Sequence, residues 1–482
     1  TDSYGKKRFR KPIAQFDLKN GIKGLHPIDV QGIKYDLGAD TGLRHFYIDT
    51  DVKNGQTYYY ALVPYDRGLV DTAATGEITG FPPTEASSVI KVSAAGVIEQ
   101  LDVNTAVVTP NPPASGYIGP RVADDTTRIG PYTGNIKIQI LDPTQIHAED
   151  TYRISFSDTS RFAMDPRPTY CLINLTTGDT LLKNRPVEEG YDVSPVIDGL
   201  VFFVHNDTTV QIIESETKWV KGNCNYGVRV KANQSLIGRF VPYPADFELN
   251  FYDTIVDTSQ ALLFGQTAIP TNFSIWNITE GRPMDFIFYD KDSNKEFSPG
   301  DSVTMVMGHG IGEPLPTPRS KFKAAWSIFF DDPGTGELIP PQPGDVYRIR
   351  TTKPFRTGDA FQFKIQGERI DTQLARDQLS QIAVVPNPYT AAATWEPRNP
   401  FGFGRGERRI YFINLPKDCT IRIYTVRGYL VDTIEHHGSG INGAESWDLV
   451  SKDGMDIAYG LYIYHVDAPG IGTHIGKFAV IK

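Results

Sequence analysis

The residues with the clearest claim to chemistry are Asp290, Asp292, Asn294, Glu296, Ser298 and Asp301, which alternate through one short acidic stretch. A hard calcium ion takes about six to eight oxygens, and a loop of about twelve residues supplies them from its first, third, fifth, seventh, ninth and twelfth positions. Asp290, Asp292, Asn294 and Asp301 offer side-chain oxygens at that spacing, Glu296 its carbonyl, and Ser298 a contact through water. Phe297 stands where an apolar residue pins such a loop to the core. Two residues depart from the pattern: Lys295 replaces the glycine that eases the sharp turn, and Asp301 is shorter than the usual closing glutamate. The expectation is a structural calcium site of weak, extracellular-type affinity. The alternative is a solvated acidic turn, since Asp, Asn, Ser and Gly are ordinary turn residues.

Elsewhere the spacing of reactive types is uninformative. There is no nucleophile elbow, His-Glu-x-x-His, phosphate-binding glycine loop or paired-cysteine motif. His26, His45, His147, His205, His309, His465 and His474 stand singly, and His436-His437 reads as a turn. Intrinsic enzyme activity is therefore not expected. Cys171, Cys224 and Cys419 are odd in number, which excludes a fully paired framework. Cys171 and Cys224 fall in one expected domain and can bridge; Cys419 reads as a buried thiol.

The elements that must position the acidic loop are strands. Phe286-Ile287-Phe288-Tyr289 and Val303-Thr304-Met305-Val306 flank it, so it staples a hairpin and has no switching role. The same alternation recurs along the chain, with Gly 44 and Pro 34 supplying turns between short strands. The fold class is all-β: tandem Ig-like and fibronectin-like β-sandwich domains in an elongated array. Expected divisions are 1–94, 95–243, 244–371 with the calcium-type loop, and 372–482, where a short helix at Thr372–Gln381 leads into a last module. No apolar run approaches the roughly 20 residues of a membrane helix. A net charge of -9 argues against a nucleic-acid partner.

In the first division, Val52 to Asp66 places a Gly turn before Tyr58-Tyr59-Tyr60. The stretch resembles the tyrosine corner and following strand of a fibronectin type III module, with Tyr58 at the corner and Tyr60 and Leu62 sharing its face. Gly21 to Leu43 reads as loop, so the module is expected to be incomplete at its N-terminus. No signal-peptide pattern opens the sequence, and Lys6 to Lys11 reads as a solvated basic run.

The last division carries Pro386-Asn387-Pro388, then Tyr424-Thr425-Val426-Arg427-Gly428, Gly460-Leu461-Tyr462 and a closing Gly476-Lys477-Phe478. In this order the landmarks resemble the C-terminal sorting domain of type IX secretion substrates, an Ig-like module related to the flagellar hook-capping fold. An insert from Ala391 to Gly406 departs from the pattern. The resemblance implies a bacterial protein, extracellular or on the outer cell surface, whose C-terminal domain docks to secretion machinery at the outer membrane. Five Asn-x-Ser/Thr sites (Asn174, Asn206, Asn233, Asn272, Asn277) carry little meaning in that setting. Asp71-Thr72-Ala73, Asp253-Thr254-Ile255 and Asp432-Thr433-Ile434 resemble an O-glycosylation acceptor pattern. Two functions stand: a structural or adhesive surface protein, or the non-catalytic C-terminal region of a larger secreted hydrolase. The incomplete first module is expected to be covered by self-assembly or by an upstream segment of the same precursor.

Overall fold

The computed structural model describes residues 12–92, 98–158, 167–232, 239–261, 267–307, 323–334, 336–390 and 408–481. The insert at Ala391–Gly406, the basic run at Lys6–Lys11, Asn233 and the proline-rich loop at Pro314–Pro318 lie outside these residues. The chain is nearly all β, as its alternation requires, and its sheets are overwhelmingly antiparallel. It divides into two compact units, one made of Val122–Gln366 and the other of Thr1–Arg121 with Gly367–Lys482.

Val122–Gln366 contains two sandwiches, one inserted within the other. The outer one stacks a sheet in the order Thr127–Ile129, Ala360–Gln366, Thr151–Asp158, Pro168–Asn174, Thr180–Pro186 on a three-stranded sheet of Asn135–Ile140, Leu200–His205 and Tyr191–Val193. Their inward faces form one core around Tyr152, Ile154, Phe156, Leu172, Phe202, Phe355 and Phe363. Strict alternation on Thr151–Asp158 puts Tyr152, Ile154 and Phe156 inside while Arg153 and Ser155 point away.

The inner sandwich packs a sheet of Lys218–Lys221, Val346–Ile349, Phe247–Phe251, Phe273–Asn277 and Arg282–Pro283 on one of Gly227–Ala232, Lys323–Asp331, Ser302–Met307 and Phe286–Tyr289. Its core is rich in Phe and includes Phe247, Phe251, Phe273, Phe286, Phe288, Phe297 and Phe330. Burying each such ring is worth about 1.5–3 kcal/mol.

These ladders cross the divisions expected from sequence. Gly227–Ala232, assigned to the second division, pairs with Lys323–Asp331 of the third. Ala360–Gln366, assigned to the third, returns to Thr151–Asp158. Thr105–Val108 pairs with Tyr58–Ala61, so residue 94 is no boundary either. The reason is physical: alternation declares which face of a strand is buried, not which strand lies beside it. Loop-closure entropy grows only slowly with length, so a distant partner costs little more than a near one. Cys171 and Cys224 consequently sit in different sandwiches, and all three cysteines are free. Burial pushes the Cys224 thiol up to about 11 and the Cys419 thiol, within the strand Asp418–Thr425, up to about 12.

The other unit contains the N-terminal segment and the last sandwich. In the segment, strands pair only two by two: Leu25–Val30 with Ile33–Asp36, Tyr58–Ala61 with Thr105–Val108, Leu69–Thr72 with Ile78–Phe81, and Ile90–Val92 with Ile98–Leu101. No described residue of 12–110 joins a hydrophobic core cluster. The Tyr58 hydroxyl accepts from the upstream Lys53 N–H at 2.7 Å. Leu62, expected to share its buried face, is instead 75% exposed.

The last sandwich has its own core around Ile410, Phe412, Ile421, Ile423, Trp447, Tyr464, Val466 and Phe478. It is entered through a helix, Thr372–Gln378, whose Asp371 cap accepts from the N–H groups of Gln373 and Leu374 at 2.9 and 3.0 Å. A distant segment also joins it. Ala114 donates to the Gly440 carbonyl and Ser115 to that of Leu415, both at 2.9 Å, while Gly443 donates to the Pro112 carbonyl at 2.7 Å. A Cβ on Gly443 would lie 2.5 Å from the Pro113 oxygen, so only glycine admits this approach.

Candidate metal site and C-terminal landmarks

The acidic loop joins Phe286–Tyr289 to Ser302–Met307, with Tyr289 opposite Ser302, so it is the hairpin connection that the flanking alternation implies. Phe297 turns inward from it and is buried. Its ring meets Phe330 at 3.9 Å and Phe251 and Phe273 at 5.0 Å, all at steep angles, which fastens the loop to the inner sandwich.

Around that anchor the loop folds back on itself. One carboxylate oxygen from each of Asp290, Asp292 and Asp301 lies within 4.8 Å of the others. Oxygens on opposite sides of a calcium ion are separated by up to about 5 Å, twice the metal–oxygen distance. Asn294 donates through Nδ2 to Asp292 at 2.9 Å and to the Ser298 hydroxyl at 3.2 Å. Ser298 in turn donates to Asp292 at 3.2 Å and Asp301 at 2.9 Å. Asp301, 1% exposed, accepts the Lys291 N–H at 2.9 Å and the Ser298 N–H at 2.8 Å. Asp290, Asp292, Asn294, Ser298 and Asp301 thus converge. The Glu296 side chain remains exposed, and its N–H donates to Asn294 Oδ1 at 2.6 Å.

Lys295 adopts φ +65°, the left-handed conformation that the missing glycine would have eased. The loop makes its sharp turn there regardless, held by the Lys295 N–H donating to Asp290 at 2.7 Å. The shorter reach of Asp301 is met by its placement on the hairpin stem, facing Asp290 and Asp292. Three carboxylates thus gather with the Ser298 hydroxyl, while Asn294 turns its Nδ2 toward them and its oxygen to the Glu296 N–H.

The C-terminal landmarks also converge. Pro386-Asn387-Pro388 links the strand Ala383–Val385, in one sheet, to Tyr389–Thr390, in the other. The Asn387 side chain donates to the Lys477 carbonyl at 3.2 Å and accepts the Ala479 N–H at 3.1 Å. It thereby brackets Phe478, whose buried ring stacks on Tyr462 at 5.5 Å. Gly460 lies opposite Val480 at the start of the long final hairpin. Gly476 lies opposite Tyr464, and a Cβ there would come within 2.3 Å of that ring. Gly428, at φ +84°, donates to the Thr425 carbonyl at 2.9 Å and makes the turn into Leu430–His437.

Sequence reading missed a buried charge cluster between the two nested sandwiches. Lys353 and Asp246 are each 4% exposed, and Lys353 Nζ donates to Asp246 Oδ1 at 2.6 Å and to the Thr351 carbonyl at 2.7 Å. Arg350 Nη1 pairs with the other oxygen of Asp246. Burial pulls the Lys353 ammonium below the usual lysine range, against the contact with Asp246 that raises it. The only sequence signal was three charged residues beside otherwise apolar strand ends, which is no signal without the fold.

No protein-family model matches the chain, and no curated protein matches it. Among solved structures it is similar to PorZ, an essential bacterial surface component of the type-IX secretion system of Porphyromonas gingivalis. That likeness covers 86% of this chain and 68% of PorZ, at 11% identity and a TM-score of 0.19. Dimeric latent PorU from Porphyromonas gingivalis is similar over 80% of this chain but only 35% of its own, at 11% identity and a TM-score of 0.15. At such TM-scores the chains share no common global frame, and nothing of their function is carried over. Among the described residues, no helix is long and apolar enough to cross a membrane.

Proposed function

We propose that this chain is a secreted or cell-surface structural protein of stacked β-sandwiches, without catalytic activity of its own. Its last sandwich acts as the signal for export through a type IX-like secretion system and engages that machinery at the outer membrane. A calcium ion at Asp290, Asp292, Asn294, Glu296, Ser298 and Asp301 serves the inner sandwich as a staple.

The observation that carries the export reading is the clasp made by Asn387. It joins the first and last landmarks, residues 90 and 92 positions apart, through both faces of one side-chain amide. Pro-Asn-Pro and Gly-Lys-Phe are weak as separate strings; as two halves of one clasp they describe a single folded module. The non-catalytic reading is supported by thiols that burial keeps protonated and by His436, which is committed to Glu445 at 2.8 Å inside the last sandwich.

The test is deletion of Gly460 to Lys482 in a bacterium carrying such a system, followed by cell fractionation. The expected result is periplasmic retention of a chain that has lost its last sandwich while the two nested sandwiches, with cores of their own, stay folded. Surface delivery of the truncated chain at the normal level would refute the export reading.

A further inference from the structure

The charge cluster between the nested sandwiches borders a cavity of about 440 Å³, lined by Arg128, Pro131, Thr133, Thr279, Arg350 and Lys353, among others. Three of its lining residues are cations, against one lining carboxylate, that of Asp246. Asp246 is already saturated: it accepts from Lys353 and Arg350, and the Thr351 N–H reaches it at 3.0 Å. The nearby acids are also engaged. Glu216 accepts from Arg350 Nε at 3.1 Å, Asp207 from the Thr133 hydroxyl at 2.5 Å, and Asp359 from the Arg356 N–H at 2.8 Å.

Donors remain unspent on the cavity side. Arg350 uses Nε and Nη1 on its carboxylates, which leaves Nη2. Lys353 spends two of its three ammonium protons. The Thr279 hydroxyl accepts the Asp246 N–H at 2.9 Å and keeps its own proton to donate. Arg128 lies with its guanidinium 3.9 Å from the centre of the Tyr132 ring, and no carboxylate among the described residues is hydrogen-bonded to it. That stacking holds the guanidinium plane in place, with the Asp359 carboxylate among its electrostatic neighbours. Pro131 and Ile278 add an apolar wall beside these donors.

The geometry points to a binding site for an acidic saccharide in this cavity, with its carboxylate on Arg128, Arg350 and Lys353 and an apolar ring face against Pro131 and Ile278. A planar guanidinium matches a carboxylate in two parallel hydrogen bonds, which a point charge does not. Arg350 and Lys353 already hold Asp246 and Glu216, so an incoming carboxylate is received through their remaining donors and through Arg128. The site lies entirely within Val122–Gln366, and it depends on neither the export signal nor the acidic loop.

The experiment is isothermal titration calorimetry of the full chain with glucuronate, glucose and inorganic sulfate, on the native protein and on Arg128→Ala and Arg128→Lys. Arg128 is exposed, and thermal melts check that both variants keep the native fold. Glucuronate is expected to bind with a Kd on the order of 1 mM. Arg128→Ala should weaken it by about tenfold, the loss of one charge-assisted pair, and Arg128→Lys should recover only part of that. Glucose should give no heat. Absence of glucuronate binding, or binding unchanged in Arg128→Ala, overturns the proposal. Sulfate binding as tightly as glucuronate would show a site that reads charge alone, and would overturn the saccharide assignment.

Discussion

Asp246 and Lys353 show how much a single buried carboxylate can organise. It holds one lysine, one arginine and one backbone N–H where the chain crosses between sandwiches. Removing one member of such a pair strands the other charge out of water, so Asp246→Ala should destabilise the protein by about 3–5 kcal/mol. Lys353→Met should cost less, since Asp246 keeps Arg350 and the Thr351 N–H as partners. The lysine also sets a pH dependence. Its folded pKa is depressed below the unfolded value of about 10.4, so between the two the unfolded chain binds the extra proton. Stability contributed through this group is therefore lowest below the folded pKa and recovers as pH rises through it toward the unfolded value. Urea unfolding at a series of alkaline pH values should show the native protein gaining stability relative to Lys353→Met. A constant difference across that range would mean that the lysine is not desolvated.

At the scale of the element, the acidic hairpin loop balances a strained turn against a buried anchor. Lys295 in the left-handed region costs about 1–2 kcal/mol, whereas glycine there would cost about 0.4–1 kcal/mol of unfolded-state entropy. Lys295→Gly should thus stabilise the protein by about 0.5–1 kcal/mol and tighten calcium binding by preforming the loop. Calcium at about ten times its Kd adds roughly 1.4 kcal/mol, enough to raise the melting temperature of a sandwich this size by about 3–6 °C. Chelation should reverse the rise, and the double variant Asp290→Ala, Asp292→Ala should abolish it. Identical melts with and without millimolar calcium would reduce the loop to a solvated turn.

At the scale of the whole chain, Val122–Gln366 is an insertion inside an insertion point. The inner sandwich leaves and re-enters the outer one through adjacent segments: the Ile213 N–H donates to the Arg350 carbonyl at 2.8 Å, and the Thr352 N–H to that of Gln211 at 2.8 Å. Each sandwich has a separate core. Replacing residues 214–349 by a short glycine linker should therefore leave an outer sandwich that unfolds cooperatively, provided Lys353→Met removes the orphaned ammonium. Circular dichroism and a two-state urea transition would report it. A chain that stays unfolded would show that the outer core needs the inner sandwich to form.

Alternation alone located most of the long strands of the two nested sandwiches but missed Thr180–Pro186, Tyr191–Val193 and Lys218–Lys221. Tyr152, Ile154 and Phe156 face inward because residues two apart share a side of a strand. The short helix was expected at Thr372–Gln381 and forms over Thr372–Gln378, and the acidic hairpin was legible from the alternating strands on either side of it. These are local properties, determined by covalent spacing and backbone geometry within a few residues. Leu62 was misread because alternation implies a partner face, and in 12–110 the described strands pair only two by two. Ala360–Gln366 returning to Thr151–Asp158 was equally beyond reach, as was Asn387 clasping Lys477 and Ala479. The cavity of Arg128, Arg350 and Lys353 exists only where two sandwiches meet. Its residues share neither a strand nor a period, and only the packed chain gathers them around one cavity.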